Sequence, residues 1–533
     1  MRGADLLVQC LVQAGVTRIF SLSGNQIMPV YDACLTAGIQ IIHTRHEAAA
    51  VYMAEAYAQL TGTLGVALVT AGTGAANAAG ALFTASESET PVLLLSGDSP
   101  VSQDGMGAFQ EMDQVSMMSA IAKLSVRPTN AAELGDAVAR ACQVAQSGRP
   151  GPVHIALAVD VLEGPAQTDH VPSANQFMRD RLPATSADID FIEQAIAQSQ
   201  RPIFICGPSL NATRHPRITA WCAEIGVPVI PMESPRGLRD PSLGNLGMVL
   251  KQADLVVNLG KRVDFTVGFG KPQSIGEGTR WINITSVQHE QDRAKKNLGP
   301  SLVRAIMADP RDVVGALSAI DASKPDVSGW RDFVATELAQ RSFPEIATDH
   351  ITSQDLCQAV QDQIADHHDT AVICDGGEFG QWASAVTQAQ SRIVNGISGA
   401  IGGGLCYGFA ARLARPDALI FALMGDGSAG FHFAEFETAV RNNMHCVVVI
   451  GNDKRWNAEH LIQMRDYGPD RVFGCELSDA RYDLAAQALG AHGEYVTQLS
   501  ELAPALRRAI DSKKPACVNV MIQGMPAPSG TSY

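Results

Sequence analysis

Gly425-Asp426-Gly427-Ser428 follows the apolar run Ala418–Met424, and a second apolar run, Cys446–Ile450, ends in Gly451-Asn452-Asp453. Asp426 precedes Asn452 by twenty-six residues and Asp453 by twenty-seven. That interval fits one strand, helix, strand unit, so the side chains emerge together at the carboxyl ends of adjacent parallel strands, where open α/β sheets bind ligands. Glycines flanking Asp426 let the backbone approach a diphosphate. A carboxylate, an amide oxygen and a backbone carbonyl make a hard-oxygen site of the kind Mg²⁺ takes. G-D-G alone is a turn after a strand; the N-D pair at this distance points to a metal and a diphosphate.

Two more strings lie near the start of the chain. Arg45-His46-Glu47-Ala48-Ala49-Ala50 leads into Tyr52, Met53, Glu55, Ala56 and Tyr57, a short strand feeding a helix packed through small residues, with Glu47 at the helix start. A carboxylate there is favoured by the helix dipole whatever else it does. Val69-Thr70-Ala71-Gly72-Thr73-Gly74-Ala75-Ala76-Asn77 is a glycine-rich turn from strand to helix, and Gly107-Ala108-Phe109-Gln110-Glu111 follows in an expected loop. Gly-x-Gly by itself fits any nucleotide fold.

The elements that must position these residues read as short β-branched runs alternating with helical segments: Gly65–Thr70, Pro91–Ser96, Val153–Val159, Pro202–Cys206, Val227–Pro231, Ala253–Leu259, Ala371–Cys374, Ala418–Met424, Cys446–Ile450 and Ala516–Met521. Strands that are apolar throughout are buried on both faces, which means parallel sheets covered by helices. The expected class is α/β, with three doubly wound parallel-sheet domains. Polar, Pro-containing segments at 164–187 and 321–349 place those domains near 1–165, 185–322 and 350–533. The first and third look alike in element order.

Composition narrows the ligand. A formal charge of −15 argues against nucleic-acid or anionic membrane partners, which need clustered Lys and Arg, and favours small molecules. Eleven cysteines without a C-x-x-C pair suggest neither disulfides nor zinc, and a reducing cytoplasm is expected. The first sixteen residues read as an amphipathic helix, not a signal peptide, and no run of eighteen apolar residues occurs, so a membrane span is not expected.

Taken in order, R-H-E-A-A-A, V-T-A-G-x-G-x-x-N, G-A-F-Q-E and G-D-G-S…N-D resemble the thiamine diphosphate (ThDP) enzymes, the family of acetolactate synthase, benzaldehyde lyase, 2-hydroxyacyl-CoA lyase and the 2-keto acid decarboxylases. The resemblance covers essentially the whole chain. It implies that the first domain binds the aminopyrimidine, that the third binds the diphosphate, and that a central domain lies between them. It implies that Glu47 hydrogen-bonds N1′ of the aminopyrimidine and promotes its imino tautomer, so that the cofactor's own 4′-nitrogen takes the C2 proton. Gly72 and Asn77 would contact ThDP from the first domain. Gly399, Gly425, Asp426, Gly427, Ser428, Asn452 and Asp453 would do so from the third, with Ile401 as the apolar prop of the bent cofactor, or else simply core.

The same resemblance implies Mg²⁺ ligands: Asp426, Asp453 and the backbone carbonyl of Arg455. The family's usual N-N is Asn452-Asp453 here, which adds a second carboxylate for Lys454 or Arg455 to offset. Gln110 matches a glutamine that approaches the reacting centre from the neighbouring subunit. Asn25 and Gln26, in the loop after the first strand, face substrate or else cap a turn. Arg262, in a string similar to a G-x-R-x-D of acetolactate synthases near flavin and substrate, either anchors a carboxylate or pairs with Asp264. FAD is left open, since members with similar middle domains lack it.

Members of this family build each site from two subunits, so a homodimer or homotetramer is expected. The expected activity is an acetolactate synthase-like carboligase or lyase acting on 2-keto acids, aldehydes or 2-hydroxy ketones. A 2-keto acid decarboxylase and a 2-hydroxyacyl-CoA lyase are the alternatives; the short tail to Tyr533 weighs against the CoA-handling reading. The segment from Arg455-Trp456 to Val472 is similar in layout to benzaldehyde lyase. A non-catalytic ThDP-binding scaffold is the reading from another class, and the retained Glu47 argues against it.

Overall fold

The computed structural model describes residues 1–166, 170–318, 327–344 and 348–528; the expected boundary at 322 and the tail to Tyr533 lie outside them. Strands β1 (Arg18–Ser21), β2 (Gln40–His43), β3 (Gly65–Val69), β4 (Val92–Asp98), β5 (Ser125–Val126) and β6 (Val153–Ala158) form a parallel sheet in the order β2-β1-β3-β4-β6-β5. A second parallel sheet is built from β7 (Pro202–Cys206), β8 (Val229–Pro231), β9 (Leu255–Leu259), β10 (Arg280–Thr285) and β11 (Leu302–Met307), ordered β11-β10-β9-β7-β8. The third holds β12 (Ile351–Thr352), β13 (Thr370–Cys374), β14 (Ser391–Val394), β15 (Leu419–Gly425), β16 (Val447–Asn452), β17 (His492–Val496) and β18 (Ala516–Gln523). Every neighbouring pair in it is parallel.

The likeness of first and third domains is one of topology. Leaving β12 aside, the third sheet runs β14-β13-β15-β16-β18-β17, which repeats the first sheet's order strand for strand. The apolar runs behave as their composition demands, with β3, β9 and β13 buried along their whole length between helical layers.

The first and third sheets belong to one compact unit, and the middle sheet belongs to a second. Within the first unit, helices Glu47–Thr61 and Gly404–Ala414 share a single core in which Ala49, Ala50, Met53 and Ala54 lie with Leu405, Phe409 and Ala410. Small residues set this approach: a Cβ on Gly403 would come within 3.0 Å of the Tyr52 ring. Tyr52 and Tyr407 meet edge to face at 5.6 Å, and the Tyr407 hydroxyl donates to Glu55 Oε2 at 2.5 Å. Glu55 is fully buried and also accepts from Gln59 at 3.0 Å and from Ser88, so its charge is hydrogen-bonded on both oxygens. The alanine-rich string after Glu47 is thus explained by packing.

Candidate active site

β15 and β16 lie side by side in parallel, with Gly425 opposite Gly451, so Asp426 and Asp453 leave the same edge of the sheet. Asp426 opens a one-turn helix, Asp426–Ala429, while Lys454, at φ 58°, turns the chain back after Asp453. The two carboxyl groups hydrogen-bond one another, and the Arg455 backbone N–H donates to both. Burial pushes both carboxyls above the ordinary carboxylate range; the neighbouring Asp426 charge raises Asp453 further, and the Arg455 guanidinium draws it back. Of the two cations considered for this offset, Arg455 is the one that acts.

Arg455 itself is held by a short antiparallel bridge to Glu476, made by Trp456 N–H to Cys475 O and Leu477 N–H to Lys454 O, each 2.7 Å. In that pattern Arg455 exchanges no bond with Glu476, so its own N–H and C=O are directed away from the bridge. Its N–H reaches the carboxylates.

A cavity opens over this pair, lined by residues 376–379, Ile401, residues 425–428, Gly451, Asp453 and residues 455–459. Glycine is required where the walls are closest. A Cβ on Gly427 would stand 2.6 Å from the Trp456 ring, and one on Gly376 would stand 2.7 Å from Ile401 Cγ2. Ile401 is half-buried on the cavity wall and is not core. Its loop is pinned by Asp375, which accepts N–H bonds from Gly376 at 2.8 Å and Gly402 at 3.0 Å, and a third from the Asn395 amide. Gly399 in that loop has φ 82° and is exposed.

The first sheet assembles the other predicted residues, after the carboxyl ends of β1, β2, β3 and β4. Glu47 begins its helix, is 8% exposed, and accepts the Asn77 amide on Oε2 at 3.0 Å. His46 caps the same helix, with Nδ1 accepting from Ala48 N–H at 3.0 Å. Nearby, Thr70 Oγ1 donates to Gln26 Oε1 at 2.6 Å and Gln26 Nε2 donates to Gln110 Oε1 at 2.7 Å. Gly72, at φ 59°, leaves 3.1 Å between its would-be Cβ and Gln110. Glu111 shapes the loop, accepting N–H bonds from Gly105, Gly107 and Ala108 at 2.6, 2.9 and 3.0 Å. Asn25 is exposed. None of these residues lines the cavity over Asp426.

Residues 1–117 match the thiamine pyrophosphate enzyme N-terminal TPP binding domain, and residues 375–520 match the C-terminal TPP binding domain of the same enzymes. A probable acetolactate synthase of Mycobacterium bovis is 31% identical across 98% of this chain and 96% of its own length. The chain belongs to the thiamine pyrophosphate enzyme family. Human 2-hydroxyacyl-CoA lyase 2 is 28% identical across 94% of this chain and 86% of its own, and a 2-hydroxyacyl-CoA lyase of Arabidopsis thaliana is 26% identical across 98% and 95%.

For a ThDP enzyme, the residues present fit the cofactor. A cavity floored by glycines at 376, 377, 425 and 427 admits a diphosphate close to backbone, and Ile401 presents an apolar wall beside it. Among the sequence-predicted residues, Gly425, Asp426, Gly427, Ser428, Asp453, Arg455 and Ile401 are brought together here. Asn452 is not: fully buried, it donates to Asn519 Oδ1 at 3.1 Å and accepts from Lys454 N–H at 3.2 Å, bracing the turn that carries Asp453.

Sequence reasoning passed over Asp375-Gly376-Gly377-Glu378-Phe379. Its signal was the same as that of G-D-G, an acidic residue and glycines directly after an apolar strand. In the middle sheet, Arg262 pairs with Glu290 at 3.4 Å, and Asp264 instead caps the following turn through Thr266 N–H at 2.9 Å. Of the two alternatives for Arg262, a substrate carboxylate or Asp264, the second gives way to an ion pair with Glu290. Among the described residues no helix is long and apolar enough to cross a membrane.

Proposed function

We propose that this ThDP enzyme makes or breaks a carbon–carbon bond beside a carbonyl, acting on 2-keto acids, aldehydes or 2-hydroxy ketones, with its cofactor held through Mg²⁺. The observation that carries the metal is the carboxylate pair Asp426 and Asp453, hydrogen-bonded to each other at the floor of a glycine-walled cavity. Two buried like charges at this separation resist ionising together, and a divalent cation between them relieves both the repulsion and the lost hydration. Among the described residues no group of three or more His, Cys, Asp and Glu forms a metal cluster. One or two carboxylates completed by phosphate and water oxygens is the donor set Mg²⁺ takes in phosphate sites, whereas zinc prefers nitrogen and sulfur.

Bound ThDP supplies a carbon nucleophile that adds to a carbonyl and an electron sink for the bond that breaks beside it. Gly425, Gly427, Ser428 and the 376–379 turn would hold the diphosphate, with Gly399 and Ile401 along the cofactor. Gly72, Asn77 and Glu47 would hold the aminopyrimidine, Glu47 keeping a proton at its ring nitrogen. Gln110 would present an amide to the substrate, with Gln26 behind it and Asn25 at the rim. Since the first-sheet residues stand outside the cavity over Asp426, each site would be completed by a second copy of the chain, giving a homodimer or homotetramer. All eleven cysteines are buried and none forms a disulfide, which suits a reducing cytoplasm.

The deciding experiment incubates purified protein, ThDP and Mg²⁺ separately with pyruvate, benzoin, benzoylformate and a 2-hydroxyacyl-CoA, and identifies products. Coupled or cleaved 2-hydroxy ketones are expected. Aldehyde release alone would make it a decarboxylase, and turnover confined to the thioester a 2-hydroxyacyl-CoA lyase. C2 deuterium exchange of ThDP no faster with protein than without it would leave only a cofactor-binding scaffold.

A further inference from the structure

The segment that follows the Asp426 turn reaches back onto the loop that presents Glu47. Glu435 begins the helix Glu435–Arg441, is 1% exposed, and accepts the Arg45 N–H on Oε1 at 2.9 Å. Thr438 Oγ1 holds its Oε2 at 2.7 Å. From the other end of the helix, Arg441 donates to the His43 carbonyl at 2.7 Å while Glu437 steadies the guanidinium at 3.0 Å. The His432 ring lies 5.4 Å from the His46 ring. Residues 43, 45 and 46 are thus each gripped from one short segment, and the next residue is Glu47.

A backbone loop can be capped more cheaply than this. A serine or amide would accept the same N–H bond without the cost of burying a charge, and burial pushes the Glu435 carboxyl up to about 7. What a carboxylate adds is a stronger, shorter hydrogen bond from the loop's N–H, and hence a more rigid loop. Rigidity has value where a catalytic carboxylate must meet a ring nitrogen, since a displacement of about 1 Å costs on the order of 10²-fold.

We propose that Glu435 is a positioning residue for Glu47: its carboxylate, by holding the Arg45 N–H two residues before Glu47, fixes the carboxylate that would address the aminopyrimidine of ThDP. The inference rests on the ThDP reading of the site. It assigns to the third domain a part in cofactor activation that is separate from holding the diphosphate.

The test uses the holoenzyme and reads three quantities: ThDP affinity, the C2 deuterium exchange rate of bound ThDP, and the thermal midpoint. Glu435→Ala is expected to slow exchange about tenfold or more with ThDP affinity within about threefold of wild type, and Glu435→Gln, which keeps an acceptor oxygen but loses the charge, to recover only part of the rate. Tyr407→Phe removes the Glu55 link between the same two domains; it is expected to lower the thermal midpoint and leave exchange unchanged. Should Glu435→Ala fail to fold, Glu435→Asp, which retains the charge on a shorter arm, is expected to slow exchange instead. Wild-type exchange in a folded, ThDP-loaded Glu435 variant overturns the proposal, as does an equal slowing in Tyr407→Phe. Wild-type protein that binds no ThDP or does not speed exchange overturns the underlying reading instead.

Discussion

Asn77 donates its side-chain amide to Glu47 Oε2 at 3.0 Å, from the second turn of helix Thr73–Glu87 to the first residue of helix Glu47–Thr61. That bond commits one oxygen of the carboxylate and leaves Oε1, on the Gly74 side, as the one that addresses a ligand. Asn77→Ala frees the side chain to rotate, and about a tenfold loss of C2 exchange is expected at saturating ThDP. Asn77→Asp sets a second carboxylate where the amide stood, so the two groups share a proton and the loss is larger. Exchange at the wild-type rate in both variants would show that the bond is only structural.

The carboxylate pair makes metal loading pH-dependent, with a definite sign. Both carboxyls are raised in the folded, metal-free chain, so that chain binds more protons than the unfolded one over the same range, and its stability falls as pH rises. On the proposed reading, Mg²⁺ would reverse this, because it would take the ionised pair and have to displace the shared proton. Titrations of Mg²⁺ in the presence of ThDP from about pH 8 down to about pH 5 are expected to show progressively weaker binding, and thermal melts with EDTA the opposite trend for the apo chain. Asp453→Asn removes the carboxyl with which Asp426 shares that proton and is expected to flatten the pH dependence. A pH-independent Mg²⁺ affinity in the wild type would rule out a shared site.

Gly427 stands where the Trp456 ring leaves room for no side chain, 2.6 Å from a would-be Cβ. Gly427→Ala is expected to push the indole off the cavity wall and weaken ThDP binding by about tenfold or more, at a stability cost of about 1–3 kcal/mol from overpacking. Trp456→Ala in the same chain removes the clash. Isothermal titration of the single and double variants checks this: the double variant binds ThDP better than Gly427→Ala alone, and a double variant no better than that would remove the steric account.

How much of this was legible in the sequence follows the range of the interactions. β3, β9 and β13 announce themselves because burial on both faces demands apolar residues at every position. β5 and β12, two residues each, and β17, half-exposed with His492 and Glu494, carry no such pattern. The Asp426 and Asp453 pair was readable because one β-α-β unit separates them. Glu435 was not, since its partner Arg45 lies 390 residues away and only the packing of two domains brings them together. Asn452 was expected among the ThDP contacts beside Asp453, yet strand alternation sends its side chain to the opposite face, into the bond with Asn519.

Gln26 is bonded at both ends of its amide, and this bears on what the first-sheet residues can offer a substrate. Its carbonyl oxygen accepts from Thr70 and its NH₂ donates to the Gln110 carbonyl, which leaves the Gln110 NH₂, a hydrogen-bond donor, outside this chain of bonds. Gln110 reaches this position from a backbone at φ 61°, a conformation that costs a non-glycine residue of order 1–3 kcal/mol. Thr70 and Gln26 then act on substrate only through Gln110. Gln26→Ala and Gln110→Ala are each expected to lower kcat/KM for a carbonyl substrate by about tenfold, and the double variant to lose little more than either, a coupling above about 1 kcal/mol in the double-mutant cycle. Additive losses would mean that Gln26 meets the substrate directly and that its bond to Gln110 is broken when substrate binds.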